Sequence, residues 1–146
     1  MIHTLAELNA LKDIAKAQME GFEKQILICG GTGCTSSGSV QLYERLQEEV
    51  KAHGLEEKVA VIKTGCFGLC ALGPVMITQP DGCFYAHLEM DHIPEIIEKH
   101  IIGGQPIREY LYQETVQGDN ILKYTETPFY GSQERVVLRN CGVIAP

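Results

Sequence analysis

Apolar and polar positions along this chain follow two periods, and the switches between them mark its elements. Leu5, Leu8, Leu11, Ile14 and Ala15 recur at helical spacing. Thr4 and Glu7 stand just before them as a capping box, each able to bond the other's backbone amide. This predicts a first helix over 1–21, ended by Gly21. Its stripe is read as core packing, with docking on a partner chain as the alternative. Residues 25–29 then form a short apolar strand, followed by a loop over 30–38. Ser36, Ser37 and Ser39 are candidate N-caps for the next helix, which turns Val40, Tyr43, Leu46 and Val50 inward and Glu44, Glu48, Glu49 and Lys51 outward before Gly54. A second strand covers 59–63. Residues 75–79 and 83–88 form a hairpin about the turn Pro80-Asp81-Gly82. Asp91 is placed to cap a last helix, with Pro94 in its first turn and Ile93, Ile96, Ile97, His100 and Ile101 on its apolar face.

The order α, β, α, β, β, β, α predicts an α/β domain: a small open sheet of about four strands with flanking helices, spanning 24–104. Glycine and proline break up residues 105–146, which read as a linker or tail with one short strand at 135–138. The chain stops soon after Asn140-Cys141-Gly142, and this sequence is expected to continue in a longer protein or a separate subunit.

Composition narrows the function. The 146 residues carry a net charge of −7 and no basic cluster, which argues against a nucleic-acid partner or an anionic membrane. Such an acidic surface fits basic patches on partner proteins. No apolar run approaches the roughly 18 residues of a membrane span, and no secretory signal opens the chain, so a cytoplasmic location is expected. Six cysteines in that setting point to metal or redox use rather than to structural disulfides.

Four of them form two tight pairs, Cys29 with Cys34 in Cys-Gly-Gly-Thr-Gly-Cys and Cys66 with Cys70 in Cys-Phe-Gly-Leu-Cys. Each pair lies just past a strand. If those strands are parallel neighbours, both loops open at one sheet edge, where such folds place ligands. Four thiolates suit zinc or an iron–sulfur cluster, and the spacing leaves both open. In a cluster, Gly30, Gly31, Gly33, Gly65 and Gly68 would let backbone come close, and their amides would bond to sulfur. Thr32, Thr35 and Ser36 are further donors, and Phe67, Leu69 and Leu72 would shield one side from water. No Cys-x-x-Cys redox motif is present. His3, His53, His87, His92 and His100 are not placed for a Rieske centre and read as solvated or core residues. Cys83 reads as a buried free thiol in a strand, and Cys141 as part of the tail. The loop 30–33 lacks the lysine of a phosphate-binding loop.

Cys29-x4-Cys34, Cys66-x3-Cys70 and Gly73-Pro74 resemble the thioredoxin-like [2Fe–2S] ferredoxin family over about residues 24–104. Cys-Gly-Gly-Thr-Gly-Cys-Thr-Ser-Ser-Gly and Thr-Gly-Cys-Phe-Gly-Leu-Cys-Ala-Leu-Gly-Pro are similar to the N-terminal domain of the flavin-bearing, NAD(P)-reactive subunit of multimeric [FeFe]-hydrogenases. Those subunits are related to the NADH-oxidising flavoprotein of respiratory complex I. Arg-Val-Val-Leu-Arg-Asn-Cys-Gly, residues 135–142, resembles the lead-in to the flavoprotein core. The resemblance implies a [2Fe–2S] cluster on Cys29, Cys34, Cys66 and Cys70, one-electron transfer, and FMN and NAD(P) sites only in a missing or partner domain. The implied partners are that flavoprotein domain and further iron–sulfur subunits, and a homo-oligomer is also allowed. A zinc-stabilised adaptor is the alternative function.

Overall fold

The computed structural model describes residues 4–113, 123–134 and 136–137. A four-stranded mixed sheet organises the domain, in the order β2-β1-β3-β4. β1 (Lys24–Cys29) pairs in parallel with β2 (Val59–Thr64), so that Lys24 lies opposite Val59 and Cys29 opposite Thr64. β3 (Met76–Gln79) runs antiparallel along the other side of β1, and β4 (Phe84–Tyr85) antiparallel to β3. This is the open sheet with flanking helices that the hydrophobic pattern predicts.

The period of two along β1 sorts the core into two faces. Ile26 and Ile28 pack with Leu42, Leu46 and Val50, and with Ile93, Ile96, Ile97 and Ile101. The first three come from α3 (Ser39–Ala52). The isoleucines come from one helix that winds as α4 (His92–Glu95) and continues as a π-helix over Ile96–Ile102. On the opposite face, Leu27 and Cys29 pack with Phe67, Val75, Ile77 and Phe84. Each fully buried leucine or isoleucine contributes about 1.5–3 kcal/mol relative to exposure. The domain is therefore held chiefly by its helical face.

Several expected details differ. α1 (Leu5–Glu20) forms with the expected capping box: the Thr4 N–H donates to Glu7 Oε2 and the Glu7 N–H to Thr4 Oγ1, both at 3.2 Å. Its stripe is not core, because Leu5, Leu8, Leu11 and Ile14 are 73%, 50%, 51% and 56% exposed. α3 and the α4/π-helix already fill the helical face of the sheet. The buried line of α3 is Ser39, Leu42, Leu46 and Val50, while Val40 and Tyr43 lie half-buried beside it. Tyr43 stays at the margin, where its hydroxyl accepts a hydrogen bond from Gln47 Nε2 at 3.0 Å. None of the three serines caps α3. Gly38 precedes it, and Ser36 and Ser37 instead donate their hydroxyls back to Thr32 O and Gly33 O. Those bonds finish a short helix, α2 (Thr32–Ser36), inside what reads as a loop. Asp91 makes no side-chain cap, since its own backbone is already helical at φ −72°.

β4 is shorter than the 83–88 strand expected, because later amides find other acceptors. Ala86 N–H bonds Tyr110 O, His87 N–H bonds Leu72 O, and Leu88 N–H bonds Pro74 O. The first of these draws in the stretch expected to be linker. Tyr112 N–H returns to Phe84 O at 3.0 Å, Tyr85 bridges to Leu111, and Leu111 is buried. The chain after Gly104 thus starts by lining the outer edge of β4. Apart from Val136 and Val137, the strand expected at 135–138 lies outside the described residues, as does Cys141. Among the described residues, no helix is long and apolar enough to cross a membrane.

Candidate metal centre

The parallel register of β1 and β2 brings the two cysteine loops side by side. Where Cys29 and Thr64 end their strands level, Gly30 N–H bonds Thr64 O at 2.9 Å and Cys29 N–H bonds Val75 O at 3.1 Å. α2 then folds back and carries Cys34 to the face that Cys29 occupies. Both thiols are buried there beside Phe67, with Leu69 and Leu72 packed against them. Cys66 and Cys70 sit outside, exposed at the mouth of the second loop. Their Sγ atoms are 3.7 Å apart. Two sulfurs on one tetrahedral metal, each at about 2.3 Å, lie about 3.7–3.8 Å from one another. The outer pair therefore already has the spacing of a chelate on a single ion.

The two pairs flank one point: a Cβ on Gly73 would lie 2.9 Å from Cys34 Sγ and 3.3 Å from Cys70 O. The Cys29 thiol is the side-chain partner of Cys34, and Cys70 interacts electrostatically with both. Burial and then the neighbouring Cys29 push the Cys34 thiol up to about 12. Cys66 likewise raises Cys70. Among the described residues, the one group of three such donors lying within 4.8 Å of one another is elsewhere, at Asp81, Cys83 and His100. Two close pairs held further apart suit a two-iron rhomb better than one zinc ion, which needs all four sulfurs at a single tetrahedral spacing.

The backbone fits the same group. Gly68 takes φ +88°, in the left-handed region, and its N–H points at Cys66 Sγ at 3.2 Å. A Cβ on Gly33 would meet Cys70 Cβ at 3.0 Å, and one on Gly31 would meet Cys66 Cβ at 2.9 Å. Gly73, which carried no role in the sequence reading beyond its motif, stands where a Cβ would fall 2.9 Å from Cys34 Sγ. Gly30 is different from its expected role. It packs against Lys63 and Thr64 of β2 rather than against a thiol, and Gly65 has open space beside it. Thr35 Oγ1 donates to Gly30 O and Ser36 Oγ to Thr32 O, so both hydroxyls serve the loop rather than the sulfurs.

Cys83 is buried and free, as expected, and belongs to the helical face of the sheet, away from the four thiols. Sequence reasoning missed what surrounds it. His100 Nε2 lies 2.6 Å from Asp81 Oδ2, Tyr85 Oη lies 2.8 Å from His100 Nδ1, and Thr78 Oγ1 donates to Asp81 Oδ2 at 3.1 Å. Burial, then Asp81, pushes the Cys83 thiol up to about 12. This network ties the hairpin turn to the last helix. Nothing local in the sequence pairs the hairpin turn with His100.

Taken together, the fold and the paired thiols define a small α/β domain with a candidate metal centre where β1 and β2 end. The chain belongs to the thioredoxin-like [2Fe–2S] ferredoxin family, whose model matches residues 17–100. A [2Fe–2S] ferredoxin of Clostridium pasteurianum is 37% identical over 75 residues, which cover 51% of this chain and 74% of that protein. The crystal structure of the thioredoxin-like [2Fe–2S] ferredoxin from Aquifex aeolicus superposes with a TM-score of 0.58 at 26% identity, covering 64% of this chain and 99% of that one. A looser likeness in fold is to a chain of an NAD+-reducing [NiFe]-hydrogenase, with a TM-score of 0.47 at 17% identity over 73% of this chain and 22% of that one.

Proposed function

We propose that Cys29, Cys34, Cys66 and Cys70 hold one [2Fe–2S] cluster, through which this domain relays single electrons inside a larger cytoplasmic NAD(P)H-linked oxidoreductase of hydrogenase type. The observation that carries the reading is the meeting of two chelating thiol pairs where parallel β1 and β2 end level. The cluster supplies a one-electron carrier. The chain supplies the four sulfurs, the Gly68 amide to Cys66 Sγ, the close approach of Gly33 to Cys70, and a wall of Phe67, Leu69 and Leu72 that keeps water from the inner pair. Gly30 acts indirectly, by seating the first loop on β2.

A hydride carries two electrons, so a one-electron centre needs a flavin between it and a nicotinamide. FMN and the NAD(P) site are assigned to a partner flavoprotein domain, and the onward path to further iron–sulfur subunits. The motif resemblance of both loops to hydrogenase flavoprotein subunits supports that setting. Anaerobic titration followed by EPR tests it. Dithionite is expected to produce the reduced-cluster signal, and NADH or NADPH alone to produce none. A signal with either nucleotide in flavin-free protein would overturn the assignment.

A further inference from the structure

A second group of metal-ligating side chains lies on the helical face of the sheet, outside the paired-thiol site. Asp81 from the hairpin turn, Cys83 just before β4 and His100 from the last helix each offer one donor atom, and the three atoms lie within 4.8 Å of one another. Cys83 and His100 are buried, while the Asp81 side chain is 36% exposed and gives the group its opening to solvent. Tyr85 Oη lies 2.8 Å from His100 Nδ1, which leaves Nε2 as the ring atom that faces Asp81 Oδ2, at 2.6 Å. A ligating histidine is commonly oriented in this way, through a partner on its second ring nitrogen. His100 also lies within the π-helix Ile96–Ile102, a rare winding that is frequent at functional sites.

An oxygen, a sulfur and a nitrogen donor converging on one point suit a tetrahedral zinc ion. Ligand atoms on such an ion stand about 3.2–3.8 Å apart, so movements of about 1 Å would admit it, with Asp81 and His100 parting to make room. One carboxylate, one thiolate and a neutral imidazole balance the dication, so the bound group is neutral where it is buried. We infer that Asp81 Oδ2, Cys83 Sγ and His100 Nε2 form a zinc site that clips the hairpin turn to the last helix, with its fourth position open to water on the Asp81 side. On binding, the Cys83 thiol gives its proton to solvent. His100 keeps its ring proton on Nδ1 and donates it to Tyr85 Oη. Lys123 opposes Cys83 in an antiparallel bridge, and its charge eases the ionisation of the thiol. The inference is independent of the [2Fe–2S] reading.

The test uses the cluster-bound protein, dialysed anaerobically near neutral pH against about 10 μM free zinc, with zinc and iron counted together. The parent is expected to hold one zinc for every two irons, with its visible spectrum unchanged. Cys83→Ser and His100→Gln should each weaken zinc binding about 100-fold or more, and Tyr85→Phe, which removes only the partner of Nδ1, about 10–100-fold. The visible spectrum of each variant reports whether it has folded. Zinc X-ray absorption of the parent needs no variant and should fit one sulfur at about 2.3 Å with nitrogen and oxygen at about 2.0–2.2 Å. A parent that keeps two irons and takes up no zinc would overturn the inference alone. So would zinc with nitrogen and oxygen neighbours only, or binding unchanged in Cys83→Ser, either of which marks an adventitious ion only. Zinc with four sulfur neighbours and a matching loss of iron would overturn it too, and would also count against the cluster on the paired thiols.

Discussion

Gly31 stands so close to Cys66 that a Cβ on it would lie 2.9 Å from that residue's Cβ and 3.1 Å from its Sγ. The contact runs from the first cysteine loop to the second, so it sets how near the two thiol pairs come. Gly31→Ala should therefore push the loops apart, lower the cluster content of purified protein and shift the midpoint potential. Gly65→Ala, next to Cys66 but with nothing within 4 Å, should change neither. Visible spectra and redox titrations of the two variants check this. Equal behaviour would remove the close approach from the account.

In the proposed site four cysteines hold the cluster and Cys83 does not. Serine at Cys29, Cys34, Cys66 or Cys70 should abolish or destabilise the cluster, since each removes one anionic sulfur. Cys83→Ser should leave the visible spectrum and iron content intact, because that thiol is buried against Asp81 on the other face of the sheet. Bleaching of the Cys83→Ser protein would show that a ligand has been misassigned.

The hairpin turn should make stability depend on pH. Burial pushes the Asp81 carboxyl up, but hydrogen bonds with His100, Cys83 and Thr78 outweigh it and hold the group well below its ordinary value of 3.8. A depressed folded-state value contributes stability that is present above the ordinary value and is lost as the pH falls through the folded one. Asp81→Asn should lower the urea midpoint at pH 7 and bring parent and variant together toward pH 2. A gap that stays constant from pH 7 to pH 2 would contradict the hydrogen-bonded Asp81 carboxylate.

Tyr85 holds the other side of the same network. Tyr85→Phe would strip the partner from buried His100 Nδ1 and from the Ile107 N–H, at a cost of about 1–3 kcal/mol in urea unfolding. The spectrum should stay unchanged, because the network lies away from the four thiols. A spectral change without a loss of stability would reverse that division of roles.

These residues also show what the sequence made legible. β1 and β2 were readable because each is a short apolar run that ends at a glycine- and cysteine-bearing loop. The thiol pairs were readable because each is local. The stripe of α1 was misread because amphipathy shows that a face is apolar and not what covers it. The edge segment at 110–112 was missed because its bonds to Phe84 and Ala86 depend on where β4 stops. Asp81 and His100 meet only after the last helix has docked. Gly30 and Gly31 look alike in sequence, yet one packs on Lys63 and Thr64 and the other on Cys66. Only the turn of the chain between them separates their roles.

The claim that four thiols at the end of β1 and β2 hold a two-iron cluster is tested most directly by metal and acid-labile sulfide analysis of anaerobically purified protein, read together with its Mössbauer spectrum. The account predicts two irons and two sulfides per chain, with one iron becoming ferrous on dithionite reduction. Four irons and four sulfides, or stoichiometric zinc with no iron taken up on reconstitution, would contradict it.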